Sequence, residues 1–351
     1  MPATVSLLAD LRPVTQRVEQ RLREGDLGFA AMVEELKTSD LVIANLETPL
    51  STRGNPVPKY RNLRSDPVVI QDVKALGIQA VTLANNHMMD YGPEALADTL
   101  VTCDAAQIAR CGAGLDLEEA SRPLTFRVQG CRVGLLNLAT TIPMGFDAGP
   151  GKPGLAPLRV DFALEIDTNF MVESPGAMPV VRTWVRAEEQ EALCQRIRRF
   201  KAGVDVALVS IHWGVPDFWL SPAQGVLAQY QQPLAHAMIE AGADVIYGHH
   251  SHTLHPIEVY RGKPIFYSPG NFFFEFDKPR PYMERKSFIV KAAVGDGLAI
   301  ECVPLVHDDQ GVPSRAFGPE AKAVLGRLVD LSAPFGTRLT IEGDRASLRL
   351  A

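Results

Sequence analysis

Six short apolar runs each stop at a side chain able to bind a metal or move a proton, and this recurrence constrains the chain more than any other feature. Val5–Ala9 ends at Asp10, and Leu41–Leu46 runs into Glu47. Ala80–Ala84 leads to Asn85-Asn86-His87, and Val206–Ile211 to His212. Val245–Tyr247 leads to Gly248-His249-His250, and Pro264–Tyr267 to Ser268-Pro269-Gly270-Asn271. Apolar runs this short, several of them bounded by Gly or Pro, read as buried strands.

Helical patterns fill the intervals. They cover Val14–Arg23, Asp66–Leu76, Pro93–Asp104, Glu188–Lys201 and Gly225–Ala241. Asp66-Pro67 combines an N-cap with a proline at the first helical position. Gly77, Gly203 and Gly242 follow three of these segments, as C-caps do. Alternating strands and helices predict an α/β architecture with a largely parallel core. Leu124–Val128 with Arg132–Leu138, and Lys286–Val294 with Ala299–Val306, predict two hairpins, so the sheet is expected to be mixed. The whole chain, 1–351, reads as one domain. Gly145–Trp184, rich in Gly and Pro and weak in periodicity, reads as an insertion or lid. A helix over Glu320–Leu331 and a loose tail complete the expectation.

Composition narrows the partners. The net charge is −6 and there is no Lys/Arg run, so no nucleic-acid partner is expected. The N-terminus lacks a basic segment followed by a long apolar one, and no apolar stretch is long enough to span a bilayer. No membrane anchor is therefore expected, and a cytoplasmic location is. Five scattered cysteines without a CxxC pair predict reduced, mostly buried thiols.

In open α/β sheets, ligands bind beyond the carboxyl ends of the strands. Asp10, Glu47, Asn86, His87, His212, His250 and His252 would all gather at such an edge. Their mixture of carboxylate, amide and imidazole suits one or two divalent ions, Mn, Fe or Zn first, with Mg or Ca also open. Singly, several of these residues have plainer readings. Asp10 also fits a helix cap before Val14, Glu47 a solvated strand end, Asn85-Asn86 a turn, and His212 a packed core histidine. His236 and His307 are read as structural. The run Gly248-His-His-Ser-His-Thr-Leu-His255 differs, because four imidazoles in seven residues are hard to explain by packing. Alternate residues of an extended segment face one way, so His250 and His252 can share a site.

The ordered motifs Asp40-Leu-Val-Ile-Ala-Asn-Leu-Glu47, Leu83-Ala-Asn-Asn-His-Met-Met-Asp-Tyr-Gly92, His212-Trp-Gly214, Gly248-His-His-Ser-His252 and Tyr267-Ser-Pro-Gly-Asn-Phe272 resemble those of CapA-type proteins of poly-γ-glutamate capsule synthesis. That family belongs to the calcineurin-like metallophosphoesterase superfamily. The resemblance implies two mixed β-sheets packed face to face and flanked by helices. It implies Asp10 and His252 as ligands of a first metal, and His212 and His250 of a second, with Asn86 also a ligand. Glu47 would bridge the two ions, and His87 would be a general acid. Where the superfamily often has Asp-x-His, this chain has Asp10-Leu11-Arg12, so the first metal would lack one imidazole.

Metals held this way activate water and polarise a carbonyl or phosphoryl oxygen. Lys59, Arg61 and Arg64 are candidates for holding a substrate carboxylate or phosphate, though a solvated basic loop explains them as well. Asp90 and Tyr91 are expected to support His87, and Asn271 to orient a ligand or touch substrate. The leading expectation is a metal-dependent hydrolase acting on an amide or phosphate ester of a small or peptide-like acidic substrate. One alternative is an epimerase with Asp10, His249 or His255 as base. The other is a non-catalytic component of capsule assembly.

Overall fold

Strands whose two faces are both apolar must be covered on both sides, and the chain does this with two sheets and two helical layers. The computed structural model describes residues 2–174, 176, 179–214, 226–275, 284–295 and 297–350. In the larger sheet, Ala3–Arg12 lies between Leu41–Leu46, parallel to it, and Lys286–Val294, antiparallel to it. Ala80–Thr82 and Ala109–Cys111 extend it on one side, and Leu298–His307 on the other. In the smaller sheet, Cys131–Ala139, Val206–His212, Val245–His249 and Lys263–Phe266 are parallel neighbours in that order. Leu124–Val128 and Ile257–Tyr260 close its two edges as antiparallel hairpin partners.

The sheets face each other across one apolar layer. Val5, Leu7, Leu41 and Ile43 from the larger meet Val133, Leu135, Leu208 and Val245 from the smaller. The Tyr247 hydroxyl crosses this layer to the Leu7 carbonyl at 2.9 Å. Outside the larger sheet, Phe29, Met32, Val73, Leu96 and Leu100 of three helices cover Leu8, Val42 and Ala44. Outside the smaller, Leu193, Ile197, Leu234 and Met238 cover Leu136, Val209 and Ile246. The architecture is the helix-flanked pair of mixed sheets that the resemblance implies.

Several boundaries differ from expectation. The first helix is only Val18–Arg23. The amides of Val14 and Thr15 are instead taken by the Glu275 carboxylate, which holds that stretch out of helix. The helix Leu27–Lys37 has no counterpart in the expectation; Asp26 caps it by accepting from the Phe29 amide at 2.9 Å. The helix expected from Gly225 is Gln231–Glu240, and Gly225 lies outside the described residues. The expected loose tail is a hairpin, Leu339–Glu342 with Arg345–Leu348. Its second strand pairs with Ile300–Cys302, extending the larger sheet. Within 145–184, Val160–Glu165 and Val180–Val185 form a separate two-stranded ribbon with the helix Thr168–Glu173 between them. All five cysteines are free thiols, and four of them are buried.

Candidate metal centre

The parallel strands of both sheets end at the same edge of the sandwich, so residues far apart in sequence converge there. Asp10 lies within the first strand, directly opposite Asn271 on the parallel strand Asn271–Phe274. Register shifts on both sides of Ala3–Arg12 fall at Asp10. Such irregularities re-aim a side chain, and they remove the helix-cap reading of this residue. Glu47 follows Leu46, and its amide donates to the Leu11 carbonyl at 2.9 Å. His212 is the last residue of its strand.

His250 and His252 reach the centre differently from expectation. The strand ends at His249, and both residues have positive φ, 106° and 54°. A turn, not extended alternation, brings their rings to 6.4 Å apart. Non-glycine residues held in this region cost free energy and persist where surrounding structure enforces them. Gly248 supplies the space beneath: a Cβ there would lie 2.3 Å from both the Trp213 indole nitrogen and the Tyr267 carbonyl. That contact lets the Trp213 indole donate to Tyr267 at 2.9 Å, next to His212.

The ligand atoms form two triads that share Glu47. Asp10, Glu47 and His252 offer donor atoms within 4.8 Å of one another, and so do Glu47, His212 and His250. All five side chains are buried. Asn86 Oδ1 is 2.8 Å from His212 Nε2, which places the amide beside the second triad. His252 donates from Nδ1 to Asn271 Oδ1 at 2.8 Å, which points Nε2 toward Glu47, 3.7 Å away. The expected shortage of imidazole at the first triad has a structural counterpart. Arg12 directs its guanidinium to the Glu275 carbonyl at 2.5 Å, and the triad draws its imidazole from His252.

Whether these residues fit a metal is tested best by Glu47. Its carboxylate is fully buried, and among the described residues neither oxygen has a hydrogen-bond partner; the His212 and His252 Nε2 atoms lie 3.4 and 3.7 Å from Oε1. Burial, reinforced by the charge of Asp10, pushes its pKa well above the usual carboxylate range. An unpaired buried carboxylate is costly, and cations are what compensate it. Burial also lowers the surrounding imidazoles. His250 is pushed down to about 3 and His212 well below its ordinary value, each with a further contribution from neighbouring imidazoles. Neutral imidazole is the form that ligates metal. Burial would raise Asp10, but a hydrogen bond from His249 and the nearby imidazoles hold its carboxyl below the usual range. The donor set therefore fits divalent metal.

His87 stands beside the triads. Its Nδ1 is 2.6 Å from Asp90 Oδ2. A carboxylate only accepts, so Nδ1 carries the proton and Nε2 is bare. Burial outweighs the support of Asp90 and pushes the imidazole pKa down to about 4. The resting ring is thus neutral, with Nε2 an acceptor. Among the described residues no contact joins the Tyr91 ring to His87; it lies under the Arg64 guanidinium at 4.1 Å.

The basic residues divide. Lys59 is turned inward to Asp90 at 2.5 Å. Arg64 is occupied by Tyr91. Arg61 lies near enough for its charge to act on His252, and the adjacent Tyr60 is fully exposed. His249, expected as a possible base, instead holds Asp10 Oδ1 at 2.9 Å. His255 is buried, and no hydrogen bond joins its ring to the cluster among the described residues. His236 and His307 are bonded to Glu258 and the Phe272 carbonyl, each at 2.8 Å. Sequence reasoning missed Asn45, whose amide reaches Asp10 at 2.9 Å and His212 at 3.3 Å. The available signal was a polar residue inside an otherwise apolar strand.

A family model described as "Bacterial capsule synthesis protein PGA_cap" matches residues 11–275. The chain is 31% identical over 331 residues to the capsule biosynthesis protein CapA of Bacillus anthracis, covering 93% of this chain and 72% of that one. It is 32% identical over 241 residues to the PGA biosynthesis protein CapA of Bacillus subtilis, covering 68% of this chain and 54% of that one. Among solved structures, a 5′-nucleotidase precursor from Thermus thermophilus aligns with a TM-score of 0.40 at 14% identity, over 95% of this chain and 59% of that one. Among the described residues, no helix is long and apolar enough to cross a membrane.

Proposed function

Since the chain belongs to the bacterial capsule synthesis protein family PGA_cap, we propose that it is a metal-dependent hydrolase acting on an amide or phosphate ester of an acidic, peptide-like substrate in poly-γ-glutamate or capsule metabolism. The observation that carries this reading is Glu47, buried, without a hydrogen bond to either oxygen among the described residues, and shared by two ligand triads. Asp10, Glu47 and His252 would hold one ion, and Glu47, Asn86, His212 and His250 another, with Mn, Fe or Zn best suited to the donors. Bound there, the ions supply an activated water and polarise the scissile carbonyl or phosphoryl group. His87 takes a proton at Nε2, Asp90 stabilises the resulting imidazolium, and the same nitrogen returns the proton to the leaving group. Arg61 meets an acidic group of the substrate. Phe146, whose ring lies 5.6 Å from the Lys59 ammonium, brings the start of the 145–184 segment to the site. That segment acts as a lid that helps select substrate.

The test uses metal-free protein reloaded with manganese or zinc. Metal content, melting temperature and turnover of p-nitrophenyl phosphate and γ-glutamyl-p-nitroanilide are measured together. Bound metal, a raised melting temperature and chelator-sensitive turnover are expected. No bound metal and an unchanged melting temperature would instead favour a non-catalytic role in capsule assembly.

A second reading draws on one observation, the bare Nε2 of His87. An acceptor nitrogen beside a metal centre also suits proton abstraction next to a metal-bound carboxyl, giving epimerisation. Here His87 replaces Asp10, His249 and His255 as the base. Asp10 and His249 are bonded to each other, and the His255 ring has no bond to the cluster among the described residues. Solvent deuterium at a substrate Cα without bond cleavage distinguishes this reaction from hydrolysis.

A further inference from the structure

Lys59 occupies the point where three loops meet. Its ammonium donates to Asp90 Oδ1 at 2.5 Å and to the Asn86 carbonyl, and lies 3.2 Å from His87 Nδ1. Phe146, from a third segment, faces it. Asp90 is fully buried, and its second oxygen accepts from His87 Nδ1 and from the Leu63 amide, each at 2.6 Å.

Two proton arrangements compete at His87. Either Nδ1 carries the proton and gives it to Asp90, or Nδ1 is bare and accepts from Lys59. An ammonium has three protons and no lone pair. Two of those protons are already directed to Asp90 and the Asn86 carbonyl. The carboxylate is also the nearer neighbour of Nδ1, at 2.6 Å against 3.2 Å. The first arrangement therefore holds, and it holds only while Asp90 keeps one oxygen turned to the imidazole.

We propose that Lys59 is a positioning residue that fixes the tautomer of His87. By binding one oxygen of Asp90 and the carbonyl of Asn86, it keeps the other oxygen on Nδ1 and leaves Nε2 bare. A neutral side chain at position 59 leaves the Asp90 carboxylate held by the Leu63 amide alone, so that it can turn, and the His87 proton is no longer confined to Nδ1. The kinetic consequence rests on the hydrolase reading; the tautomer does not.

The experiment uses zinc-loaded protein labelled with ¹⁵N-histidine, with the His87 signals identified by their loss in His87→Gln. Wild type and Lys59→Arg should show a protonated Nδ1 and a bare Nε2. Lys59→Met should show proton density moving to Nε2. Its kcat on whichever of p-nitrophenyl phosphate or γ-glutamyl-p-nitroanilide is turned over should fall about 10–100-fold, with zinc content and KM little changed. Ethylamine should restore part of the kcat of Lys59→Ala. The same His87 tautomer in Lys59→Met and wild type overturns the proposal, whatever the turnover. So does a Lys59→Met protein that fails to fold or loses zinc, since Lys59 would then be a structural residue. If wild type turns over neither probe, the hydrolase reading fails, and the tautomer comparison still decides the role of Lys59.

Discussion

Asp10 and Asn271 lie directly opposite each other on neighbouring parallel strands, and His252 leans between them, 3.5 Å from the one and 2.8 Å from the other. The amide oxygen thus sets which imidazole nitrogen points to Glu47. Asn271→Ala should weaken zinc binding about 10–100-fold, as loss of a partner behind a ligand does. Asn271→Asp, which still accepts from Nδ1, should stay close to wild type. Calorimetric titration with zinc checks both, and an unchanged Kd in Asn271→Ala refutes the role.

Two triads with one shared carboxylate predict a pattern of metal loss. His250→Ala should remove one ion and His252→Ala the other, while the double variant and Glu47→Ala should bind neither. Elemental analysis of dialysed protein measures this. Two ions retained by Glu47→Ala would show that the carboxylate is not shared.

His87 should matter for turnover and not for metal. His87→Ala is expected to lose about 10²–10⁴-fold in kcat with metal content near normal. His87→Asn should do the same, since an amide neither takes nor returns a proton at neutral pH. Near-wild-type turnover in metal-replete His87→Ala would remove His87 from the reaction.

Acid stability should depend on His255. Burial, with a smaller contribution from the charge of Arg327, pushes its pKa down to about 4, against 6.5 for a free imidazole. Protonation is thus penalised in the folded chain and free in the unfolded one. Stability is fully present above pH 6.5 and is lost as pH falls through the window to about 4, by up to about 3 kcal/mol from this group. His255→Gln should flatten that part of the profile. Urea unfolding at pH 7.5 and pH 5 gives the comparison, and an equal loss in both proteins excludes His255 as the cause.

Residues whose role follows from local chemistry were legible in the sequence. Leu41–Leu46 is a strand with the expected limits because its apolar run and flanking polar residues define it alone. The helix Ala187–Lys201 likewise follows from its acidic start and basic end. Glu47, His212, His250 and His252 could be singled out because each follows an apolar run. What could not be read depends on partners distant in sequence. Lys59 reads from sequence either as a substrate-holding cation or as part of a solvated basic loop, and the buried Asp90 carboxylate, 31 residues on, turns it inward. Val14–Thr15 carries a helical pattern, yet Glu275, some 260 residues later, takes its amides. The tail has only short, weak alternation, and Ile300–Cys302 makes it a strand.

The pairing of Ala3–Arg12 with Lys286–Val294 also bears on how the protein is made. Val5 lies opposite Ala292, so Ala3–Arg12 is synthesised long before its antiparallel partner. The parallel partner Leu41–Leu46 follows soon after Ala3–Arg12, but it leaves the strand's other edge bare until Lys286–Val294 is made. Contacts this distant delay folding, because the loop between them must close before they contribute. The nascent chain thus carries one apolar strand uncovered on that side until Lys286–Val294 is made, and its candidate metal-binding edge is assembled only once the ribosome has passed Asn271.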